Sequence, residues 1–360
     1  MKKPIRIKDI AKRAGVSTGT VDRVIHKRGN VSKKAEQKIL DIMEELGYER
    51  NIIASALAYN KTFTIGALLP DPALDPYWED PISGVEKAFK AVQHYGVVVN
   101  FYLFDLFDPD SFLNKADELL GDHPDAILFS PLFIKEAKIL LDKCKDQGIP
   151  NVMINTRIKN DESLCYIGQD SYQSGVLAAR LLNFGLDENS TVIILNLEKA
   201  SYNAQHLIDK EKGFREYFRK IGNNNIAIEK YDFEDFDDER KLKSFVDALL
   251  TLHPDLVGMF VTNSRAYRLA EAISPSQINH VKIVGFDLVP SNLQCLEKEE
   301  INFLINQNAA QQGYYGVMNL FNHFILKLPV EKTQYLPLDI VVLENYSYYL
   351  QKQETFQLAG

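Results

Sequence analysis

The sequence predicts an all-α helix-turn-helix head followed by a two-lobed α/β body, parallel sheets with helices on both faces. Three observations carry that expectation. Over the first fifty residues the apolar positions recur at helical spacing and are punctuated by glycine stops. From Phe63 onward, short β-rich runs alternate with helical stretches in two successive sets. Charge is divided unevenly: residues 1–60 hold 13 Lys and Arg against 7 Asp and Glu, and the remaining 300 hold 28 against 42, so a basic head precedes an acidic body although the whole chain carries −8. A basic segment with helical periodicity is suited to approach phosphates, and the acidic body is repelled from them.

In the head, Ile7, Ile10, Ala11 and Ala14 fall at i, i+3, i+4 and i+7, and Gly15 supplies the stop. Ser17 is placed to cap a second helix whose Thr20, Val21 and Val24 repeat the spacing, leaving Thr18, Gly19, Asp22 and Arg23 outward. Two short helices joined by a glycine-containing turn of about four residues describe a helix-turn-helix, and the exposed first turn of the second helix is the part that meets base edges in a major groove. Gly29 ends that segment. Ser32 caps a third helix over 33–46, with Ile39, Ile42, Met43 and Leu46 inward and Gly47 closing it. The piece 51–58 contains good helix formers but spans only about two turns, too short to be stable unless something holds it.

In the body, strands are expected at Thr64–Leu69, Val97–Phe101, Ala126–Phe129 and Val152–Ile154, with helices near Gly84–Tyr95, Asp110–Leu120 and Lys135–Gln147. The pattern repeats with strands near Cys165, Val192–Leu195, Ile226–Lys230, Leu256–Val261 and Val281–Gly285, and helices near Gln173–Phe184, Asp209–Ile221, Arg240–Thr251 and Arg265–Ile273. Two sets of domain size mean two lobes, with a ligand cleft outside the carboxyl ends of their strands.

At 360 residues, with 46% hydrophobic and 25% charged residues, the chain is an ordinary globular protein of several domains rather than one small module. Cys144, Cys165 and Cys295, an odd number without close spacing, fit a reducing compartment and imply neither a disulfide framework nor a metal site. The N-terminus has no apolar signal region and no run approaches membrane-spanning length, so a cytoplasmic protein with no membrane association is expected. The seven histidines form no H-E-x-x-H pair, and no G-x-S-x-G elbow, Walker phosphate loop or G-x-G-x-x-G occurs. Neither catalysis nor a cofactor is expected.

The ordered series Ile7-Lys8-Asp9-Ile10-Ala11, Val16-Ser17-x-x-Thr20-Val21-x-Arg23-Val24, Val31-Ser32, Ile42-x-x-x-x-Gly47-Tyr48 and Asn51-x-x-Ala54-x-x-Leu57 resembles the head of the lactose-repressor (LacI/GalR) family. The likeness continues more diffusely over residues 63–345, where Tyr166-Ile167-Gly168-Gln169-Asp170-x-x-x-x-Gly175 and Ile283-Val284-Gly285-Phe286-Asp287 are similar to that family's sensor domain, a periplasmic-binding-protein-like fold. The resemblance implies a homodimeric transcription regulator, a repressor, that binds a palindromic double-stranded operator and answers to a sugar. It implies that 51–58 is the hinge helix, ordered on DNA and pressing Leu57 into the minor groove, where an apolar wedge trades unstacking for a bend. DNA contacts are then expected from Ile7, Ser17, Thr18, Gly19, Thr20, Arg23, His26 and Ser32, and from Asn51, Ile53, Ala54 and Leu57 of the hinge. Arg23 is suited to a bidentate guanine contact. By the same likeness three crossovers fall near Ser163, Val289 and Leu328. The domains are then 1–49 for the head, 50–61 for the hinge and linker, 62–345 for the sensor (first lobe 62–163 and 290–328, second lobe 164–289 and 329–345) and 346–360 for a tail.

Sugar recognition needs flat apolar faces and paired carboxylates and amides. Asp75, Tyr77 and Trp78, the chain's one tryptophan, follow the first strand of the body. Asn155 and Arg157, Asp170, Asn263 and Asp287 all lie after strands, which brings them to one cleft, and Gln307 completes the set. By resemblance, Arg157, Asn263 and Asp287 match positions that hold sugar hydroxyls. Each has a plain structural alternative: Tyr77 and Trp78 as core packing, Asp170 as the cap of the following helix. Relatives often read Asn-Asp where this chain has Asn263-Ser264, and a second Asp where it has Leu288. The competing functions are a sugar-binding solute receptor, which leaves the basic head unexplained, and an enzyme of sugar metabolism, which lacks a catalytic set.

Overall fold

The computed structural model describes residues 5–25, 29–46, 62–158, 162–184, 186, 189–199, 205–222, 225–278 and 280–350. The chain forms two units, Met1–Tyr59 and Asn60–Gly360. The sequence positions named for the hinge (Asn51, Ile53, Ala54 and Leu57), together with His26 and Gly47, lie outside the described residues.

The head contains α1 (Ile7–Ala14), α2 (Thr18–Ile25) and α3 (Lys33–Leu46). Ile10, Ala11 and Ala14 of α1, Val21 and Val24 of α2, and Ile39 and Ile42 of α3 are buried in one small core. Gly15 closes α1 in the left-handed region (φ 73°), which a side chain would resist. The Thr20 N–H donates to Ser17 Oγ at 3.1 Å and the Ala35 N–H to Ser32 Oγ at 3.3 Å, so both expected caps are formed. An exposed Arg13–Glu45 ion pair ties α1 to α3.

The second unit is built on two six-stranded sheets. The first has the order β11-β5-β4-β3-β1-β2 and the second β12-β10-β9-β8-β6-β7. In chain order the strands are β1 (Phe63–Pro70), β2 (Val97–Phe104), β3 (Ala126–Phe129), β4 (Asn151–Ile154), β5 (Cys165–Gly168), β6 (Thr191–Leu197), β7 (Ala227–Phe233), β8 (Leu256–Val261), β9 (Lys282–Phe286), β10 (Phe303–Asn306), β11 (Thr333–Tyr335) and β12 (Asp339–Val341). All pairings are parallel except β10 with β12. The central strands are buried end to end, as sheets covered on both faces require, so they read as continuous apolar runs.

Four helices decide how the lobes are assembled: α4 (Glu79–Val92), α7 (Ser171–Asn183), α8 (Gln205–Lys220) and α13 (Ala309–Phe324), with α5 (Pro109–Gly121) and α6 (Ile134–Gln147) between the first two and α9 (Glu239–Leu252), α10 (Ala266–Ala272), α11 (Pro275–Ile278) and α12 (Pro290–Glu297) between the last two. Helix α13 packs on α4 in the first lobe, and α7 packs on α8 in the second. Each contact is a glycine pair at backbone distance: a Cβ on Gly84 would stand 1.8 Å from the Ala310 carbonyl oxygen and one on Gly313 2.0 Å from that of Pro81, while Gly175 and Gly213 would each meet a carbonyl of the opposite helix at 1.9 Å.

This topology moves the expected lobe boundaries. Strand β5 pairs with β4 and β11, so Cys165–Gly168 belongs to the first sheet and the chain crosses after it rather than near Ser163. Helix α12 and β10 stay with the second lobe, where Leu296 and Leu304 are buried, so the second crossing follows Asn306 rather than Val289. The third lies between β11 and β12, beyond Leu328. The buried β5 resembles any other strand in sequence; its partner, not its composition, assigns it to a lobe. Residues 346–350, expected to begin a tail, are helical, and Tyr346, Tyr349 and Leu350 pack on the second lobe's core.

Candidate functional site

On the head, Ser17, Thr18, Gly19 and Arg23 are exposed along α2, Thr20 is half-buried, and Ser32 is exposed at the start of α3. Ser17 Oγ accepts from the Thr20 N–H and lies 2.9 Å from the Thr20 hydroxyl. Ile7 departs from the expected contact role in one respect: its side chain packs half-buried against the head core. Its helical spacing with Ile10 is the cause.

In the body, seven of the nine expected cleft residues line one polar cavity between the lobes. From the first lobe come Asp75, Tyr77, Trp78 and Asn155; from the second come Asn263, Asp287 and Gln307. Each follows the carboxyl end of a strand, where the parallel sheet directs loops toward the cleft. Tyr77 and Trp78 are both buried and meet edge to face at 5.1 Å, so they serve as core packing and cavity wall together. Asn155 Nδ2 donates to the Tyr77 hydroxyl at 2.7 Å. Asn155 and Asp287 occupy corresponding places in the two lobes: each has positive φ (64° and 66°), and their N–H groups donate to Ile167 and Ile305 of the neighbouring strand. Asn and Asp tolerate that conformation better than other side chains, and the turn aims each into the cavity.

Arg157 and Asp170 are not brought into this cavity. They line an adjoining pocket of about 260 Å³ with Gln169, Tyr172 and Asp209, and His206 borders both spaces. The Asp170 carboxylate accepts from the Gln173 N–H at 3.0 Å, so it caps α7. Arg157 lies over the Tyr166 ring, 5.7 Å from its centroid.

Four of the further residues that line the cavity carry ionisable side chains: Glu198, His206, Lys210 and Arg265. Arg265 Nη2 donates to Asp75 Oδ2 at 2.6 Å and its Nη1 to Glu198 Oε1 at 2.7 Å, joining a carboxylate from each lobe. Asn263 Nδ2 also donates to Glu198 Oε1, at 2.7 Å. Lys210 is fully buried, donates to the Thr262 carbonyl at 2.8 Å and sits 3.4 Å above the Phe286 ring centroid. Burial lowers its pKa to about 7, against the pull of Asp287 and Glu198. Asp287 is pushed up to about 7, first by burial, while Lys210 and the hydrogen bonds from Gln307 oppose the rise. Its Oδ2 accepts from Gln307 Nε2 at 2.6 Å. Burial also raises the Glu198 carboxyl. Burial and then the Lys210 charge hold His206 well below its ordinary value, so its ring is neutral at pH 7; its Nδ1 is 2.8 Å from Thr156 Oγ1. Glu198 follows β6 and obeys the strand-end rule that found the others. Lys210 shares the inner face of α8 with Leu207, Phe214 and Tyr217, a lone cation inside an apolar stripe, which is a legible signal. Arg265 reads as an ordinary helix start.

A helix-turn-helix head and a two-lobed α/β sensor with a polar inter-lobe cavity define a ligand-responsive DNA-binding transcription regulator. Comparison with known proteins agrees in both halves. Residues 6–51 match the model described as bacterial regulatory proteins, lacI family, and residues 65–326 match the periplasmic binding protein domain. The chain is 28% identical over 294 residues to the ribose operon repressor of Halalkalibacterium halodurans, covering 79% of this chain and 80% of that one. Among solved structures it is similar to a LacI transcriptional regulator of Bacteroides fragilis (28% identity, 80% of this chain, 100% of that chain, TM-score 0.72). It is also similar to a transporter solute-binding protein of Agrobacterium vitis bound to α-D-tagatopyranose (25% identity, 79% and 96% coverage, TM-score 0.70). The chain belongs to the periplasmic binding protein domain family, carrying a lacI-family DNA-binding head.

Proposed function

We propose that the protein is a cytoplasmic, non-catalytic repressor that binds a palindromic operator as a homodimer and changes its operator affinity when a sugar occupies the inter-lobe cleft. The observation that carries this reading is the convergence of Asp75, Tyr77, Trp78, Asn155, Asn263, Asp287 and Gln307, drawn from strand ends of both lobes, on one cavity in a chain that also bears a basic helix-turn-helix head. A ligand held by both lobes binds one lobe arrangement better than another, and that difference is what it can transmit to DNA. Coupling of about 1–3 kcal/mol corresponds to roughly 5- to 150-fold in operator affinity. Arg23 and Thr18 are assigned to base readout, with Ser17 and Thr20 at phosphate or base edges; Gly19 brings no side chain to a base, so specificity leans on Arg23 and on DNA shape. A solute receptor accounts for the cleft alone, and among the described residues no helix is long and apolar enough to cross a membrane.

Sugars are screened by thermal shift and by the emission of Trp78, buried in the cavity wall, and operator DNA obtained by repeated selection from a random pool is then titrated with and without each hit. The expected result is a sugar that raises Tm, perturbs Trp78 and changes operator affinity at least about fivefold. A set of hits that bind without altering DNA affinity overturns the sensor reading.

A further inference from the structure

The cavity between the lobes measures about 40 Å³, whereas sites that enclose a small organic ligand run to about 300–1,000 Å³. Lying across this space is the Arg265 side chain, only 7% exposed. It starts in the second lobe and ends on both. One edge of its guanidinium holds Asp75 of the first lobe, and the other holds Glu198 and the Leu197 carbonyl of the second. Beside it, Phe236 of the second lobe (4.6 Å from the guanidinium carbon to the ring centroid) and Phe107 of the first (5.8 Å) stand next to each other, their own centroids 6.3 Å apart, as one aromatic wall. Glu198, itself buried, keeps its Oε2 without a hydrogen-bond partner. Two carboxylates from opposite lobes, an unused buried acceptor and an aromatic wall therefore meet at one planar, donor-rich group.

We propose that Arg265 is an internal occupant of the effector site, bridging the lobes through Asp75 and Glu198, and that the effector displaces it by presenting hydrogen-bond donors without negative charge, as neutral sugars and amino sugars do. This rests on the cleft being the effector site. Once Arg265 withdraws, the acidic groups lining the cavity are Asp75, Glu198 and Asp287, set against the single amine of Lys210. Sugar hydroxyl pairs or an amino sugar's ammonium supply what the guanidinium supplied, and a sugar's C–H face stacks on the wall that Phe107 and Phe236 form beside it. A uronate or sugar phosphate instead brings a further negative charge into a desolvated space already holding carboxylates, where like charges repel strongly. Arg265 also sets affinity: an effector that enters only the fraction of molecules with Arg265 withdrawn binds more weakly by that fraction.

The test titrates the wild-type protein, Arg265→Gln and Arg265→Lys with four sets of probes: neutral pentoses and hexoses, 2-amino hexoses, uronates and hexose 6-phosphates. Arg265→Gln removes the charge, and Arg265→Lys keeps it while losing the two-edged fork. The expected result is that the tightest probe is a neutral or amino sugar and that Arg265→Gln binds it at least about tenfold more tightly, with Arg265→Lys between. Small-angle scattering in buffer without sugar is expected to give a larger radius of gyration for Arg265→Gln than for wild type. A hit bound equally or less tightly by Arg265→Gln makes Arg265 a contact residue and overturns the proposal, and so does an acidic sugar as the tightest probe or an unchanged radius. If no probe binds any of the three proteins, the sensor reading itself fails and this inference falls with it.

Discussion

At the scale of single residues, the cavity places Asp287 and Lys210 where each titrates near neutrality, and the signs are opposite. The folded chain holds a proton on Asp287 up to about 7, while the unfolded chain releases it at 3.8. Between those values the fold binds the extra proton, so this contribution to stability is present at the acid end and is lost as pH rises. Lys210 falls from 10.5 to about 7 on folding, so above neutrality the unfolded chain holds the extra proton and stability rises with pH. Asp287→Asn keeps a carbonyl acceptor for Gln307 Nε2 and removes the titration. We expect it to flatten the wild-type decline in Tm between pH 4 and 7, and superimposable pH profiles of the two proteins would assign that decline to other groups. The same residues mark what a reader of the chain can see. Asp75, Asn155, Asn263 and Asp287 were legible because a polar residue just past a strand has one place to go in a parallel sheet. Arg265 was not, because its role depends on Asp75, 190 positions away, and nothing local distinguishes it from any helix-starting arginine.

At the scale of elements, the reciprocal glycines bring the axes of α4 and α13 together at backbone contact. Gly313→Ala puts a methyl 2.0 Å from the Pro81 carbonyl oxygen, and that helix must move as a whole to admit it. Overpacking of this kind costs about 1–3 kcal/mol, and the better helix propensity of Ala offsets only about 1 kcal/mol. Urea denaturation of the body is expected to show a lowered midpoint for Gly313→Ala. Gly121→Ala, at the end of α5 where an added Cβ meets nothing within 4 Å, is the control and should not lower the midpoint. Apart from the single-turn α11, the helices and strands up to β9 were legible from period and length. The closing elements, β10 through β12 with α12 and α13, were not. They are short or carry polar and aromatic residues all round, and α13 mixes Gln311, Gln312, Tyr314, Tyr315 and Asn319 into its turns, which blurs an amphipathic stripe.

At the scale of the whole molecule, the charge division makes the two binding activities respond differently to salt. Each phosphate neutralised by the head adds about 0.9 to the slope of log affinity against log salt, whereas a neutral sugar displaces no counterions. Operator affinity is expected to drop steeply between 50 and 200 mM salt while sugar affinity stays within about twofold, as read by parallel titrations; equal slopes would remove the head from phosphate contact.

The crossings between sheets also govern the order in which the body can be finished. Helix α7, made just after the first sheet's β5, is delivered to the second lobe, and α13, made after the second sheet's β10, is returned to the first. During synthesis the first lobe therefore waits for almost the entire chain: until residues 309–335 emerge, α4 lacks its glycine-matched partner and β5 presents a bare edge to its surroundings. A nascent chain stalled in the second lobe thus displays both a naked strand edge and an uncovered helix face. These are the features that holding chaperones capture and that promote aggregation between unfinished copies. The first half of the sensor to be translated is thus closed only a few residues before the second, whose own edge strand β12 follows at once.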